Sequence, residues 1–237
     1  LLDGTGDYLT VPDSDDWNFG SGDFTIETWV KFNSLPGSGA YQTFGANWVT
    51  SSRGWEFLLY NNAGLLKLNF LWTTDGTSGT QADKYSNTVA INTGIWYHIA
   101  VVRSGNTGTF YLNSISQGIF DMTGVTIFNS TNTLNLGYVD NGGYTNGYLD
   151  ELRISKGIAR WTSDFTPPPR PYGSNVKAEN DTTIKQEGTG STKLTLGAPQ
   201  VDGNTVALWH MEETGTTTGT TLYDATANNN NATTTGT

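Results

Sequence analysis

The chain has 237 residues, 22 acidic and 12 basic side chains, and a net charge of −10, a balance that repels phosphate and argues against a nucleic-acid partner. Its 29 glycines, 8 tryptophans, 11 tyrosines and 10 phenylalanines, with only 14% charged residues, describe a turn-rich β-protein with a real core. It has no Cys, hence no disulfide or thiolate chemistry, and no apolar run approaching the ~18–20 residues of a membrane span.

Strands are expected at YLTVP (8–12) and FTIETWVKF (24–32). In the second, Phe24, Ile26, Thr28, Val30 and Phe32 share one face, and Thr25, Glu27, Trp29 and Lys31 the other. That period of two marks a half-buried strand. YQTFGA (41–46), WEFLLYN (55–61), LLKLNFLW (65–72) and NTVAI (87–91) follow as strands. WYHIAVVR (96–103) and TFYLN (109–113) flank a polar SGNTG turn and read as a hairpin. TLNLGYV (133–139) and YLDELRIS (148–155) complete the set, and one or two helical turns are predicted near Lys156–Trp161. Many short strands separated by Gly, Asn, Asp and Ser predict a sandwich or barrel.

Four of the seven prolines then fall at 167–171, a stiff extended spacer after the first domain. Residues 173–204 are polar and poor in core residues, with KLTL (193–196) as a candidate strand. From 205 the chain reads like the opening of a β-domain: an apolar strand (Val206, Leu208, Trp209, Met211), a Gly/Thr turn, Leu222-Tyr223-Asp224 and an Asn/Thr tract. The start, Leu1-Leu2-Asp3 without Met or signal peptide, reads as that of a processed or truncated form.

DGTGDYLTVP (3–12), FTIETWVKF (24–32), WYHIAVVR (96–103), FYLNS (110–114) and YLDELRISKGIARW (148–161) occur in an order and spacing that resembles the LamG-like jelly-roll domains of the concanavalin A-like lectin/glucanase superfamily. The resemblance covers about 1–172. It implies an all-β, two-sheet antiparallel jelly-roll sandwich over 1–172, a Pro/Gly/Thr-rich linker over 173–204, and a strand-bearing extension over 205–237. Asn113-Ser114 stands where the family usually has Asn-Gly, so a looser turn, or one of another type, is expected there.

In that family a segment like ALWH precedes the first motif, whereas here it stands at 207–210. The tail could fold back on its own domain, insert into a neighbouring copy, or be half of a tandem repeat. Bare Leu208, Trp209 and Met211 would be poorly tolerated by a soluble chain, so pairing of tail and groove is expected. The stiff prolines tilt the expectation towards a neighbour, with Val206, Leu208, Trp209, Met211, Leu222 and Tyr223 as an assembly strand. Head-to-tail donation would grow a filament.

Among candidate sites, the alternation of YLDELRI places Asp150 on a face with Tyr148, Leu152 and Ile154. A buried carboxylate needs a partner, a proton or a cation. The resemblance implies a structural Ca²⁺ with Asp150 as ligand, and Asp3 and Asp7 as weaker candidates; a buried Arg or hydroxyl partner, or a solvated strand end, is the alternative. The paired carboxylates of related glycosidases, in an ExDxxE pattern, do not occur; Glu27 and Glu56 stand alone on their strands, and His98 reads as structural. No catalytic residue is assigned and no enzyme is expected. Trp48, Trp72, Tyr138, Tyr144 and Tyr148 are candidate carbohydrate-binding rings, with core packing as the alternative for each. The segments NWVTSSRGW (47–55) and YVDNGGYTNGY (138–148) mix aromatics with groups suited to hydroxyls.

The expected function is a non-catalytic extracellular structural or adhesive module on a cell or virion surface. It would be a filament or surface-array subunit linked to neighbouring copies by its tail. The alternative is a carbohydrate-binding module of a secreted enzyme or phage fibre, with a glycosidase a distant third.

Overall fold

The structure, a computed structural model, describes residues 1–140, 142–168, 202–211 and 219–236. Its strands are β1 (Leu2–Asp3), β2 (Tyr8–Val11), β3 (Phe24–Phe32), β4 (Tyr41–Val49), β5 (Ser52–Asn62), β6 (Leu65–Trp72), β7 (Ala82–Tyr85), β8 (Trp96–Ser104), β9 (Thr107–Leu112), β10 (Ile115–Asp121), β11 (Leu134–Leu136), β12 (Asn146–Lys156), β13 (Thr205–Trp209), β14 (Thr221–Leu222) and β15 (Ala232–Thr235). They form two antiparallel sheets of a jelly-roll sandwich. The first sheet runs β1-β12-β3-β8-β9-β10, with β13 also on β12; the second runs β14-β15-β2-β11-β4-β5-β6-β7.

The alternation in FTIETWVKF does what a period of two requires. Phe24, Ile26, Val30 and Phe32 enter the core between the sheets, where they join Phe44, Trp55, Phe57, Phe70 and Phe110. The expected strand NTVAI is absent. Val89 and Ile91 still reach the core, but from irregular chain, while ADKY pairs with β6 as β7. The Asn113-Ser114 turn is a tight one. Both residues take positive φ (47° and 71°) in a two-residue hairpin joining Leu112 to Ile115, so the serine holds a left-handed conformation that glycine would adopt without strain.

No helix forms near Lys156–Trp161. That segment instead runs as a strap over the outer face of the first sheet, with Trp161 and Phe165 stacked at 3.9 Å and packed against Tyr111. A buried charge network holds it. Glu27 is fully buried; it accepts from Arg153 Nε (2.8 Å) and Trp161 Nε1 (2.9 Å) and meets His98 Nε2 at 3.1 Å. Burial alone would raise the Glu27 carboxyl, but the Arg153 guanidinium, with His98 and Trp161, outweighs it and brings its pKa to about 2. A helix would have to forgo these partners.

The tail lies in its own domain. β13 pairs antiparallel with β12, and β15 pairs with β2, so the C-terminal segment extends both sheets on the same side. Leu208 and Trp209 are fully buried, Val206 and Leu222 nearly so, and Met211 packs partly against the core. Tyr223 is 72% exposed and takes no part. The outer edge of β13 is covered as well. Leu208 N–H donates to Asp224 Oδ1 (3.0 Å), Ala225 N–H donates to Leu208 O (2.9 Å), and Asn228 and Asn230 Nδ2 donate to Val206 O. The asparagine tract therefore satisfies a strand edge that would otherwise invite another chain. At the inner end, Met211 N–H donates to Asp150 Oδ1 and His210 Nδ1 meets Glu151 Oε1 at 2.7 Å.

The choice between self and neighbour thus falls to self, against the direction suggested by the prolines. Pro167 and Pro168 are described; the rest of that run, most of the 173–204 linker and the KLTL segment lie outside the described residues. Trp209→Ala should cost about 3–5 kcal/mol in a denaturant melt, the range for emptying a buried Trp site. The intact protein should sediment as a monomer at all concentrations; a concentration-dependent ladder of species would show donation to a neighbour instead.

Candidate functional site

The outer face of the second sheet carries the open aromatic surface. On β2, Leu9 and Val11 point into the core, which turns Tyr8 and Thr10 outward. β11 presents Leu134 and Leu136 inward. Beyond it Gly137 (φ +84°) redirects the chain; a side chain there would meet Leu2. The segment that follows folds back over β4. Thr43 N–H donates to Gly143 O (2.8 Å), and a Cβ at Gly143 would strike the Tyr41 ring, so only glycine fits this approach.

This fold-back gathers three half-buried tyrosines. Tyr8 and Tyr138 lie 4.6 Å apart, Tyr138 and Tyr144 stack at 4.5 Å, and Tyr8 and Tyr144 lie 6.3 Å apart. Asp140 Oδ2 accepts from both the amide (3.0 Å) and the hydroxyl (3.1 Å) of Thr50, tying this loop to the β4–β5 turn. Val139, Ala46 and Trp48 form a small buried cluster between the two loops, with Tyr41 and Leu71 against it.

Glu56 sits on β5 next to this cluster, opposite Ala46 on β4 and Leu71 on β6. It is 4% exposed and accepts from Thr43 Oγ1 at 2.9 Å. Burial pushes its pKa up to about 7; the Thr43 hydrogen bond opposes this and the Asp83 carboxylate adds to it. Unlike Glu27 it has no cationic partner among the described residues.

The structure brings some of the expected residues together and separates others. Tyr138 and Tyr144 meet, and the loops 47–55 and 138–148 are joined by the Asp140–Thr50 contact. Trp48 is part of the same site but is only 5% exposed, and the Arg53 guanidinium lies over its ring at 5.7 Å. It acts as a wall, not as a stacking platform. Trp72 belongs to the core beside Phe70 and Phe120 and is withdrawn from the site. Tyr148 lies on the other sheet, with Lys31 Nζ 4.2 Å from its ring centroid and Trp96 beside it. Tyr8 was missed by the sequence reading, although the alternation of YLTV already turns it away from the core.

Asp150 also needs correction. A β-bulge at Glu151 (φ +53°) breaks the alternation of β12, so Leu149, Leu152 and Ile154 are inward while Tyr148 and Asp150 are outward. Asp150 Oδ1 accepts the Met211 amide, and Asp3 Oδ1 accepts the Thr5 amide. Among the described residues no three acidic or histidine side chains converge.

Residues 3–160 match a family model described as the concanavalin A-like lectin/glucanases superfamily. The chain belongs to this superfamily. No curated protein matches it. Among solved structures, a candidate carbohydrate-binding protein from Bacteroides ovatus is similar over 99% of this chain and 58% of its own (16% identity, TM-score 0.61). The chain therefore spans little more than half of that protein. The binding domain of Paraclostridial Mosquitocidal Protein 1 is similar over 63% of this chain and 37% of its own (18% identity, TM-score 0.50). At these identities the likeness shows the fold alone.

The pKa of Glu56 makes stability depend on pH. With a folded value of about 7 against 4.5 unfolded, the native state holds the proton more tightly. The contribution of Glu56 is full below pH about 4.5, falls as pH rises towards 7, and is level beyond, for a total of about 3 kcal/mol at 1.36 kcal/mol per unit. Glu56→Gln should flatten urea-melt stability between pH 5 and 8 and stabilise the protein at pH 8. An unchanged slope would mean that Glu56 is ionised throughout.

Proposed function

We propose that the chain is a non-catalytic carbohydrate-binding module that takes a glycan on the outer face of its second sheet. The observation that carries this reading is the tyrosine cluster Tyr8, Tyr138 and Tyr144, fixed beside hydroxyl- and amide-bearing loops by the Asp140–Thr50 contact. Rings with one apolar face and a polar tip, set among a few positioned hydrogen-bonding groups, suit a sugar ring and its hydroxyls. Similarity in fold to a candidate carbohydrate-binding protein over nearly the whole chain supports it. A binding role fits the carboxylates better than a hydrolytic one. Glu27 is neutralised by Arg153 within the first sheet, and Glu56 lies beneath the tyrosine-bearing surface. A glycan ligand places the module outside the cell or on a virion surface. The filament reading loses its support, because the connector strand is spent within its own chain.

Tyr138→Ala and Tyr144→Ala should each weaken binding of whichever glycan an array identifies by about tenfold or more, as titration calorimetry would record, with melting temperatures little changed. A wild-type protein that binds nothing on a broad array, or tyrosine variants of undiminished affinity, would overturn this reading.

A further inference from the structure

Arg53 is the anomaly of this face. Arg103 gives its donors to the carbonyls of Gly105, Gly20 and Met122, Arg153 is paired with Glu27, and Arg160 forks onto both oxygens of Asp202. The Arg53 guanidinium makes no hydrogen bond or ion pair among the described residues, and its Nε is buried without a partner. A buried guanidinium N–H left without an acceptor is costly. In a chain of net charge −10, an arginine without a carboxylate is also unexpected.

The residue is nevertheless firmly placed. Its amide donates to Gly76 O (3.1 Å) and its carbonyl accepts from Thr73 Oγ1, which fixes the main chain. The side chain is half-buried and lies over the Trp48 ring, whose other contacts are Ala46 and Val139. Neighbouring polar groups are engaged elsewhere: the Ser52 and Ser130 hydroxyls lie 3.2 Å apart, and Asn132 Nδ2 donates to Ser52 O. None of them competes for the guanidinium. Val139, which packs with Trp48, is directly followed by Asp140 and preceded by Tyr138, so Arg53 is linked to the tyrosine-bearing loop through the Trp48–Val139 contact.

We propose that Arg53, lying over the Trp48 ring, is the recognition residue for the carboxylate of an acidic sugar. This rests on the carbohydrate-binding reading above and names its substrate class: a glycan carrying uronic or sialic acid, its carboxylate on the guanidinium fork and a sugar ring on the tyrosines. The planar fork matches a carboxylate in two parallel charge-assisted hydrogen bonds, and the cation–ring contact with Trp48 restrains it before the ligand arrives. It also supplies local attraction that the acidic surface as a whole withholds.

The test uses the full chain and two acidic probes, tetragalacturonate and 3′-sialyllactose, each against its neutral counterpart: the carboxyl-reduced tetrasaccharide and lactose. At least one acidic probe should bind about tenfold or more tightly than its counterpart, and added salt should narrow the gap. Arg53→Met should abolish the preference and Arg53→Lys retain only part of it, with melts confirming that both variants fold. Lys31→Gln, which removes the same charge from the opposite face, should leave the preference intact. The proposal is overturned if the acidic and neutral forms bind alike, if neither acidic probe binds, or if the preference survives in Arg53→Met. Neutral glycans that bind through Tyr138 and Tyr144 without acid preference would sink this inference alone; no glycan binding of any kind would sink the reading it rests on.

Discussion

The constraint on which the rest of this structure depends is the open flank of β12. That strand lies inside the first sheet and carries Leu152 and Ile154 into the core, so both its edges need partners over the full length. β3 fills one edge. On the other, β1 reaches only Asn146 and Gly147, and the stretch from Leu152 to Ser155 is filled by β13 from the far end of the chain. Without it, main-chain donors and a large apolar surface would face water together. Trp209 then links the tail to the core, lying 6.1 Å from Trp17 with its indole N–H donated to Asn230 O.

The same closure reaches the functional face. β15 pairs with β2 on one side while β11 pairs on the other, and this fixes the strand that presents Tyr8. The tail thus supports the tyrosine-bearing surface through the second sheet while adding to the core through the first. Segments far apart in sequence become neighbouring strands of one sandwich, because pairing depends on edge and register and not on the order of synthesis.

The two buried glutamates show how one residue type is put to opposite uses. Glu27 and Glu56 both lie in strands and are both removed from water. Arg153, His98 and Trp161 surround the first, which becomes an anionic anchor for the strap over the first sheet. The second has a threonine hydroxyl and a neighbouring carboxylate, so burial prevails and the group holds its proton to near neutrality. Arg53 is the complementary case, a cation over the Trp48 ring with no anionic partner among the described residues.

Much of this was legible in the amino-acid order. Alternation placed the core side of β3, the spacing of five motifs gave the superfamily, and the unpartnered ALWH strand announced that a groove had to receive it. The loops 47–55 and 138–148 were marked by composition. These features are local, set by the period of a strand or the chemistry of a turn. Which groove took the tail, that Trp72 was core, that Tyr148 stood on the far sheet, and that the bulge at Glu151 turned Asp150 outward were decided only by the tertiary structure. Each depends on cross-strand neighbours far away in sequence, and so does the charge balance that gave Arg153 a partner and left Arg53 without one.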